Sequence, residues 1–196
     1  MILQCNDSGI KDAYEIIQKG GVIVFPTDTV YGIGCDPRNK DAVNRIYKIK
    51  GREKTKYLPV LAYSKRDIED IAFFDEISEK IADKFWPGPV TLILKVKDKK
   101  IEETLDLKDK IAVRVPNHPC ILTLLEKCKV LVGTSANFSG QSSFNNSGEL
   151  AEKFSGYDLL LDGGKIADSC ESTIVEVIGN ELKIVREGKI KSESLA

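Results

Sequence analysis

The chain has 196 residues, a length typical of one domain, and its 42% of hydrophobic residues can build a sizeable core. Its 29 Lys and Arg residues nearly balance its 30 Asp and Glu residues, and the formal net charge of -1 argues against a non-specific nucleic-acid binder. The longest apolar runs have only the length of a strand, so we expect no membrane span.

Cysteine usage and the N-terminal residues indicate a cytoplasmic protein. The first residues lack a charged segment followed by an apolar one, so no signal peptide is expected. The five cysteines are odd in number and form no C-x-x-C pair; they are Cys5, Cys35, Cys120, Cys128 and Cys170. We therefore expect reduced thiols, with neither a disulfide framework nor a zinc site.

Helices and strands alternate through the first half of the chain. Apolar residues at helical spacing predict helices over residues 10–17, 42–49 and 77–85, and apolar runs predict strands over residues 22–25, 58–63 and 90–96. Ser64 and Asp67 resemble a capping box that opens a short helix. The mixed charges of residues 97–110 predict a solvated surface connection.

The second half continues this alternation. Strands are predicted over residues 111–115, 130–133 and 157–161, with a helix from about residue 117, a mobile polar loop over 141–148 and a short helix around Leu150 and Phe154. Gly179 and Asn180 predict a hairpin turn between strands over 172–178 and 181–186, before a polar, frayed tail. These elements predict one α/β (α+β) domain with a mixed, twisted β-sheet flanked by helices.

The polar segment after the strand over residues 22–25 is the first candidate for a functional site. Pro26 ends the strand, and Gly32 and Gly34 close a segment with four polar side chains, which are Thr27, Asp28, Thr29 and Tyr31. Ligands bind at strand ends in open α/β sheets, and glycines let backbone come close to them. The alternative is a simple turn whose hydroxyls bond their own backbone.

Several common chemistries lack the residues that they need. His118 is the only histidine and would have to serve any Ser-His or Cys-His nucleophile; at a predicted helix start, a capping or surface role is favoured. Gly164-Lys165 lacks the first glycine and the Ser or Thr of a P-loop. Gly32-Ile33-Gly34 lacks the third glycine of a dinucleotide fingerprint.

Cations and hydroxyls at the predicted strand ends are left as candidates. Each could be solvated or bond its own backbone, but Arg114 and Arg186 end apolar strands, where a guanidinium needs an anion or several acceptors. A cleft lined by such donors suits a polyphosphate or a carboxylate, and phosphoryl or nucleotidyl transfer needs mainly positioning and charge stabilisation. The set comprises Thr27, Thr29, Lys50, Arg52, Lys56, Arg114, Thr134, Ser135, Asn137, Ser172 and Arg186.

Seven segments in register resemble one known family. The chain is similar to YrdC/Sua5 proteins in Phe25-Pro-Thr-Asp-Thr-Val-Tyr-Gly32, Lys50-Gly-Arg52, Phe85-Trp-Pro-Gly-Pro-Val-Thr-Leu92, Ala112-Val-Arg-Val-Pro116, Thr134-Ser-Ala-Asn-Phe-Ser-Gly140, Glu171-Ser-Thr-Ile-Val175 and Arg186-Glu-Gly188. This resemblance covers nearly the whole chain. It implies a short YrdC-type protein with a YrdC/RibB-like fold around a basic concave cleft, with a single domain over residues 1–188 and a C-terminal tail over residues 189–196.

The resemblance also implies an activity. Such proteins are L-threonylcarbamoyladenylate synthases, nucleotidyltransferases that use L-threonine, bicarbonate and ATP, with Mg²⁺, to make threonylcarbamoyl-AMP and pyrophosphate. A downstream complex then passes the threonylcarbamoyl group to adenosine 37 of tRNAs that read ANN codons, giving t6A; contact with tRNA itself is a further candidate interaction. The nucleophile would be the carboxylate of N-carboxythreonine, so no activated protein side chain is required.

The matched motifs imply roles for individual residues. Lys50 and Arg52 are implied as catalytic residues on the ATP phosphates, and both are expected in a polar loop. Thr29, Arg114 and Ser172 are implied at L-threonine, with the Arg114 guanidinium on its carboxylate. The implied ATP-binding residues are Lys50, Arg52, Lys56, Ser135, Asn137, Ser143 and Arg186. No direct metal ligand is implied, because Mg²⁺ would bind through the ATP phosphates, with Asn137 as the one further candidate.

Departures from the family pattern leave alternatives open. Glu53 and Tyr57 stand where the family usually has proline, and Leu61 stands where the Sua5 branch has a histidine near the substrate. A YciO-type paralogue with another substrate is therefore one alternative, and a carbamoyl-adenylate enzyme of the hydrogenase-maturation type is another. A module that binds tRNA or double-stranded RNA without catalysis is a third, although the net charge weighs against it.

Overall fold

The computed structural model describes residues 1–167, 170–179 and 181–195. Asn180 of the predicted hairpin turn and Ala196 of the predicted tail lie outside the described residues. The strands are β1 (Ile2–Gln4), β2 (Ile23–Phe25), β3 (Gly32–Gly34), β4 (Val60–Ala62), β5 (Ala72–Phe73), β6 (Val90–Val96), β7 (Lys110–Arg114), β8 (Val130–Val132), β9 (Thr134–Ser135), β10 (Leu159–Asp162), β11 (Thr173–Ile178) and β12 (Glu181–Arg186). The α-helices are α1 (Asp7–Gln18), α2 (Lys40–Lys50), α3 (Lys65–Glu69), α4 (Glu76–Phe85), α5 (Lys99–Thr104), α6 (Pro119–Cys128) and α7 (Ser147–Lys153).

Two mixed sheets form the framework. The first has the order β1-β10-β2-β3-β9, parallel from β1 to β2 and antiparallel from β2 to β9. The second has the order β12-β11-β6-β7-β4-β8, with β5 beside β6, and it alternates antiparallel and parallel pairs along this order. The predicted mixed α/β fold is confirmed, with the strands divided between two sheets. Within the described ranges, no helix has both the length and the apolar character that a bilayer crossing requires.

Local sequence signals set the helix ends next to the later site. Asn39 caps α2, and Gly51 ends it with φ 58°, a left-handed conformation that suits glycine. Lys50 is therefore fixed as the last residue of a helix. Ser64 caps α3 by accepting a hydrogen bond from the backbone N–H of Asp67, which confirms the predicted cap.

Helices α1 and α6 cover the first sheet and are cross-linked near their N-terminal ends. Ile10 and Ile17 of α1 share a buried cluster with Phe25 of β2. Cys5, just before α1, and Cys120 of α6 form a disulfide, with their Cα atoms 5.6 Å apart. The prediction that all thiols are reduced is therefore wrong for this pair, because the fold brings together two cysteines that lie 115 residues apart.

Two segments expected in solvent are packed instead. Residues 97–110 contain α5, and the side chains of Ile101, Leu105 and Leu107 are buried, so the predicted solvated connection is wrong there. In the tail, Ile190 packs on the main core and Leu195 is buried, so the expectation of fraying is wrong for these residues. In both segments a few apolar residues among many charged ones supply the burial that anchors the backbone.

Candidate active site

A cavity of about 500 Å³ is walled by both sheets. The first sheet contributes residues of β2, β3 and β9, and the second contributes residues of β4, β6, β7, β11 and β12. Nine of the ten site residues named from the sequence line it, namely Thr29, Lys50, Arg52, Lys56, Arg114, Ser135, Asn137, Ser172 and Arg186. The tenth, Ser143, bonds a lining residue, because its Oγ donates to Glu171 at 2.9 Å. The structure therefore brings the scattered cations and hydroxyls together.

Lys50 lies beneath the cavity and is only 2% exposed. The expectation that it sits in a polar loop is wrong, because it is the last residue of α2. Its Nζ donates to the carbonyl oxygen of Ser135, to that of Asn137 at 2.9 Å and to Asn137 Oδ1 at 3.0 Å. Burial, reinforced by Arg52, lowers the pKa of Lys50 to about 8, while Glu171 opposes the shift.

The turn after β9 is held by this ammonium group. Asn137 Oδ1 also accepts from Ser135 Oγ at 2.7 Å, and Asn137 Nδ2 donates to the carbonyl oxygen of Gln141 at 2.5 Å. The backbone N–H of Ser139 donates to the carbonyl oxygen of Lys50 at 2.8 Å. Lys50 and Asn137 thus fix the shape of one wall while keeping a positive charge below it.

Arg52 organises the loop that departs from the family pattern. Its Nε donates to the carbonyl oxygen of Lys56 at 2.9 Å and its Nη2 donates to that of Tyr57 at 3.1 Å. Burial lowers the pKa of Arg52, with smaller opposing effects from Tyr47 and Glu171. The guanidinium lines the cavity, so it can hold this loop and face an anionic ligand at once.

Arg114 is buried at the opposite wall. Its Nε donates to the carbonyl oxygen of Gly88 at 2.9 Å, its Nη1 to Thr29 Oγ1 at 3.1 Å and its Nη2 to Asp28 Oδ1 at 2.6 Å. Asp28 Oδ1 also accepts from the backbone N–H of Asn117 at 2.9 Å. A guanidinium has five N–H groups, and described residues accept from three of them, so two are left for a ligand carboxylate.

The polar segment combines the two roles considered for it. Thr27 Oγ1 donates to the carbonyl oxygen of Val30 at 2.7 Å and accepts from the backbone N–H groups of Thr29 and Val30. Thr27 therefore closes a local turn, as the simpler alternative predicts. Thr29 Oγ1, by contrast, lies 2.9 Å from Thr27 Oγ1 and accepts from Arg114. The turn thus aims one hydroxyl into the wall that Arg114 forms.

Ser172 and Arg186 form a third group of polar contacts. Arg186 Nη2 donates to the carbonyl oxygen of Ser172 at 2.9 Å and to its Oγ at 3.2 Å. Ser172 Oγ also lies 2.8 Å from Thr91 Oγ1. Arg186 Nη1 pairs with a carboxylate oxygen of Glu171. This chain of contacts connects the donors on β6, β11 and β12.

The sequence assigned no role to three residues that the structure brings into the site. Asp28 holds Arg114, Thr91 contacts Ser172, and Glu171 pairs with Arg186. All three stand inside the matched motifs, and Thr91 is a polar residue within an apolar strand, which was the available signal. His118 does not cap α6 as predicted: it makes no side-chain cap bond, and burial lowers its pKa while Asp28 opposes the shift.

A divalent cation fits this site only together with a ligand. Within residues 1–167, 170–179 and 181–195, no three His, Cys, Asp or Glu side chains form a metal-binding group. Asn137 Oδ1 already accepts from Lys50 and Ser135, so both of its lone pairs are engaged. The donor set therefore suits phosphate oxygens directly, and Mg²⁺ would be held mainly by those oxygens.

Comparisons with known proteins extend this geometry. The family model Sua5_yciO_yrdC, described as "Telomere recombination", matches residues 15–188. The chain belongs to the Sua5/YciO/YrdC family. The resemblance inferred from the sequence motifs is therefore confirmed.

Two relatives carry the name of the same enzyme. A Methanocaldococcus jannaschii protein, provisionally named threonylcarbamoyl-AMP synthase, is 36% identical over 200 residues, which cover 100% of this chain and 95% of that protein. A Bacillus subtilis threonylcarbamoyl-AMP synthase is 32% identical over 197 residues, covering 98% of this chain and 57% of that protein. The chain thus spans nearly all of one relative and over half of the other.

Two solved structures of the Sua5/YciO/YrdC family share the fold. P. abyssi Sua5, crystallised in complex with L-threonine, superposes with a TM-score of 0.89 at 31% identity, covering 100% of this chain and 58% of that one. E. coli YciO superposes with a TM-score of 0.87 at 26% identity, covering 95% and 92%. The two-sheet framework is therefore that of the family.

Proposed function

We propose that this protein is a threonylcarbamoyl-AMP synthase, a nucleotidyltransferase that makes threonylcarbamoyl-AMP and pyrophosphate from L-threonine, bicarbonate and ATP. The observation that carries the proposal is that nine of the ten implied site residues line one cavity. The names of the two relatives, at 36% and 32% identity over nearly the whole chain, support the same activity.

The contacts divide the cavity into two proposed halves. In the first half, Lys50, Arg52 and Arg186 supply positive charge for the triphosphate, next to the Ser135–Asn137 turn. In the second, the two N–H groups that Arg114 retains suit the carboxylate of threonine, with the hydroxyls of Thr29 and Ser172 beside it. Lys56 and Ser143 are further proposed ATP contacts.

The proposed reaction is an in-line displacement at the α-phosphorus. An oxygen of the carboxylate of N-carboxythreonine forms the new bond to phosphorus, while the bond to the bridging oxygen breaks and pyrophosphate leaves. The cations of the first half stabilise the charge that develops on the leaving group, and Mg²⁺ bound to the phosphates would add to this. Since the substrates supply the nucleophile, the absence of a Ser-His pair in this sequence is no obstacle.

The product of this reaction is an activated acyl adenylate, which needs an acceptor. We propose that a separate transfer complex consumes it to make t6A in tRNA, and that the protein works in the cytoplasm as a single domain over residues 1–188. The -1 net charge favours a small-molecule site over a direct RNA-binding role. Contact with tRNA is therefore the secondary proposal.

A YciO-type activity is the second candidate, because E. coli YciO shares 26% identity and nearly the same length. Leu61, buried in the cavity wall where the Sua5 branch has histidine, also permits a different substrate. An assay for pyrophosphate release from ATP, without RNA, separates the possibilities. Release that requires both threonine and bicarbonate supports the proposed synthase. Release with carbamoyl phosphate instead indicates the carbamoyl-adenylate paralogue, and salt-sensitive RNA binding without release indicates the RNA-binding module.

A further inference from the structure

A single carboxylate stands among the cations of the cavity. Of the described residues that line it, Glu171 is the only acidic one, against Lys50, Arg52, Lys56, Lys110, Arg114 and Arg186. Its side chain is 34% exposed. One carboxylate oxygen pairs with Arg186 Nη1, and the other accepts from Ser143 Oγ at 2.9 Å. Glu171 therefore occupies two donors that point toward an anion-binding cavity.

Those two donors are groups that the proposed function assigns to the nucleotide. Arg186 is anchored separately, because its Nε and Nη2 donate to the carbonyl oxygen of Ser172, so Nη1 can change its acceptor without releasing the side chain. Ser143 lies in the polar segment before α7, where a hydroxyl can rotate to a new acceptor. A phosphate oxygen could therefore replace each carboxylate oxygen in turn.

The negative charge of Glu171 is not needed for these hydrogen bonds. A neutral amide oxygen could accept from Ser143 and from Arg186 as well. What the charge adds is an opposing field, because Glu171 acts on Lys50 and on Arg52 in the direction that stabilises their charged forms. It must therefore also repel a bound polyphosphate.

We propose that Glu171 is an exchange ligand that promotes pyrophosphate release. The inference rests on the proposed function. Glu171 gives up Ser143 and Arg186 Nη1 when the triphosphate enters, and it takes them back as pyrophosphate leaves. No covalent bond of the protein changes in this exchange. Its effect is to weaken the affinity for the product while leaving the bond-forming step to the other residues.

Pyrophosphate binding to the full chain tests this directly. By isothermal titration calorimetry, Glu171→Gln should bind inorganic pyrophosphate about fivefold more tightly than the unchanged protein, the size of a half-exposed ion pair. Glu149→Gln is the matched control, because Glu149 pairs with Lys153 on α7 and does not line the cavity. That variant should keep the original affinity.

Kinetics separate product release from chemistry. Glu171→Gln should form the adenylate at an unchanged rate in a single turnover, but its steady-state turnover should fall and added pyrophosphate should inhibit it about fivefold more strongly. Unchanged or weaker pyrophosphate affinity in this variant would overturn the inference. If the variant does not fold, Glu171→Ala removes the same charge and must give the same tightening. An unchanged protein that binds no pyrophosphate would instead defeat the proposed function itself.

Discussion

Arg114 and Asp28 form an ion pair inside the cavity wall, with Nη2 and Oδ1 2.6 Å apart and side chains that are 7% and 14% exposed. Burial lowers the pKa of Arg114, and Asp28 opposes the shift. The pair joins the end of β7 to the polar segment after β2, so it also orients the guanidinium that we assign to threonine. Its contribution should therefore appear both in stability and in substrate affinity.

Replacing Asp28 tests that double role. Asp28→Ala leaves the buried Arg114 charge without its partner, and we expect the free energy of unfolding in urea to fall by about 3 kcal/mol. The KM for threonine should rise, because Arg114 loses its orientation. Asp83→Ala, which removes an exposed partner of Lys65, is the control and should cost less than about 1 kcal/mol. Equal losses in the two variants would contradict the assignment.

Lys50 and Arg52 should differ in stability although both are required for turnover. Each alanine variant should lower adenylate formation by about 100-fold or more, because each removes charge from the proposed phosphate site. Lys50→Ala also leaves three buried acceptors without a donor, so its unfolding free energy should fall by about 3 kcal/mol. Arg52→Ala should lose less than about 1 kcal/mol, since its partners are carbonyls of an exposed loop that water can reach. Near-normal turnover in either variant would remove the phosphate assignment.

The lowered pKa of Lys50 makes activity and stability respond to pH in opposite directions. Between about 8 and the ordinary value of 10.5, the unfolded chain keeps a proton that the folded chain has lost. Stability contributed by this group therefore rises with pH in that window, by about 1 kcal/mol per pH unit, and is flat below it. Activity should fall over the same window as the phosphate site loses its charge.

Comparison with Lys50→Met isolates this effect from the other groups that titrate at alkaline pH. The difference in unfolding free energy between the unchanged protein and the variant should grow in favour of the unchanged protein from pH 8 to pH 10. Urea titrations at several pH values measure it. A difference that stays constant over this range would show that Lys50 keeps its ordinary pKa.

The Cys5–Cys120 disulfide should stabilise the fold, because it closes a sequence separation of 115 residues. The chain-entropy relation gives about 4 kcal/mol for a loop of this length. Cys120→Ser should therefore lower the melting temperature under non-oxidising-agent conditions, and a reducing agent should lower it for the unchanged protein but not for the variant. Cys170→Ser, at an exposed free cysteine, is the control and should keep the reductant response. No response to reductant in the unchanged protein would contradict the cross-link.

The sequence predicts well what depends on periodic patterns and local caps. The helices around Ile10 and Ile81 and the cap at Ser64 follow from neighbouring residues alone. β3 was missed because its function lies in close approach: a Cβ on Gly34 would come within 1.9 Å of the carbonyl oxygen of Val132, which only the folded chain reveals. The disulfide was missed for the same reason.

The candidate site shows a similar division. Cations and hydroxyls at strand ends could be collected from the sequence because polar residues next to apolar strands are visible there. Their partners could not, because Asp28 meets Arg114 across 86 positions and Glu171 meets Arg186 across a hairpin. Residue type indicates what a side chain can bind, but topology decides which group it meets first.

The cavity draws its cations from both sheets, and this has a mechanical consequence. A polyanion held by Lys50 and Arg186 would act as a strut between two halves that otherwise rely on side-chain packing. Amide hydrogens of β7 and β9 should then exchange more slowly together when the cavity is filled. The rigidity of this protein would follow the concentration of the small anions around it.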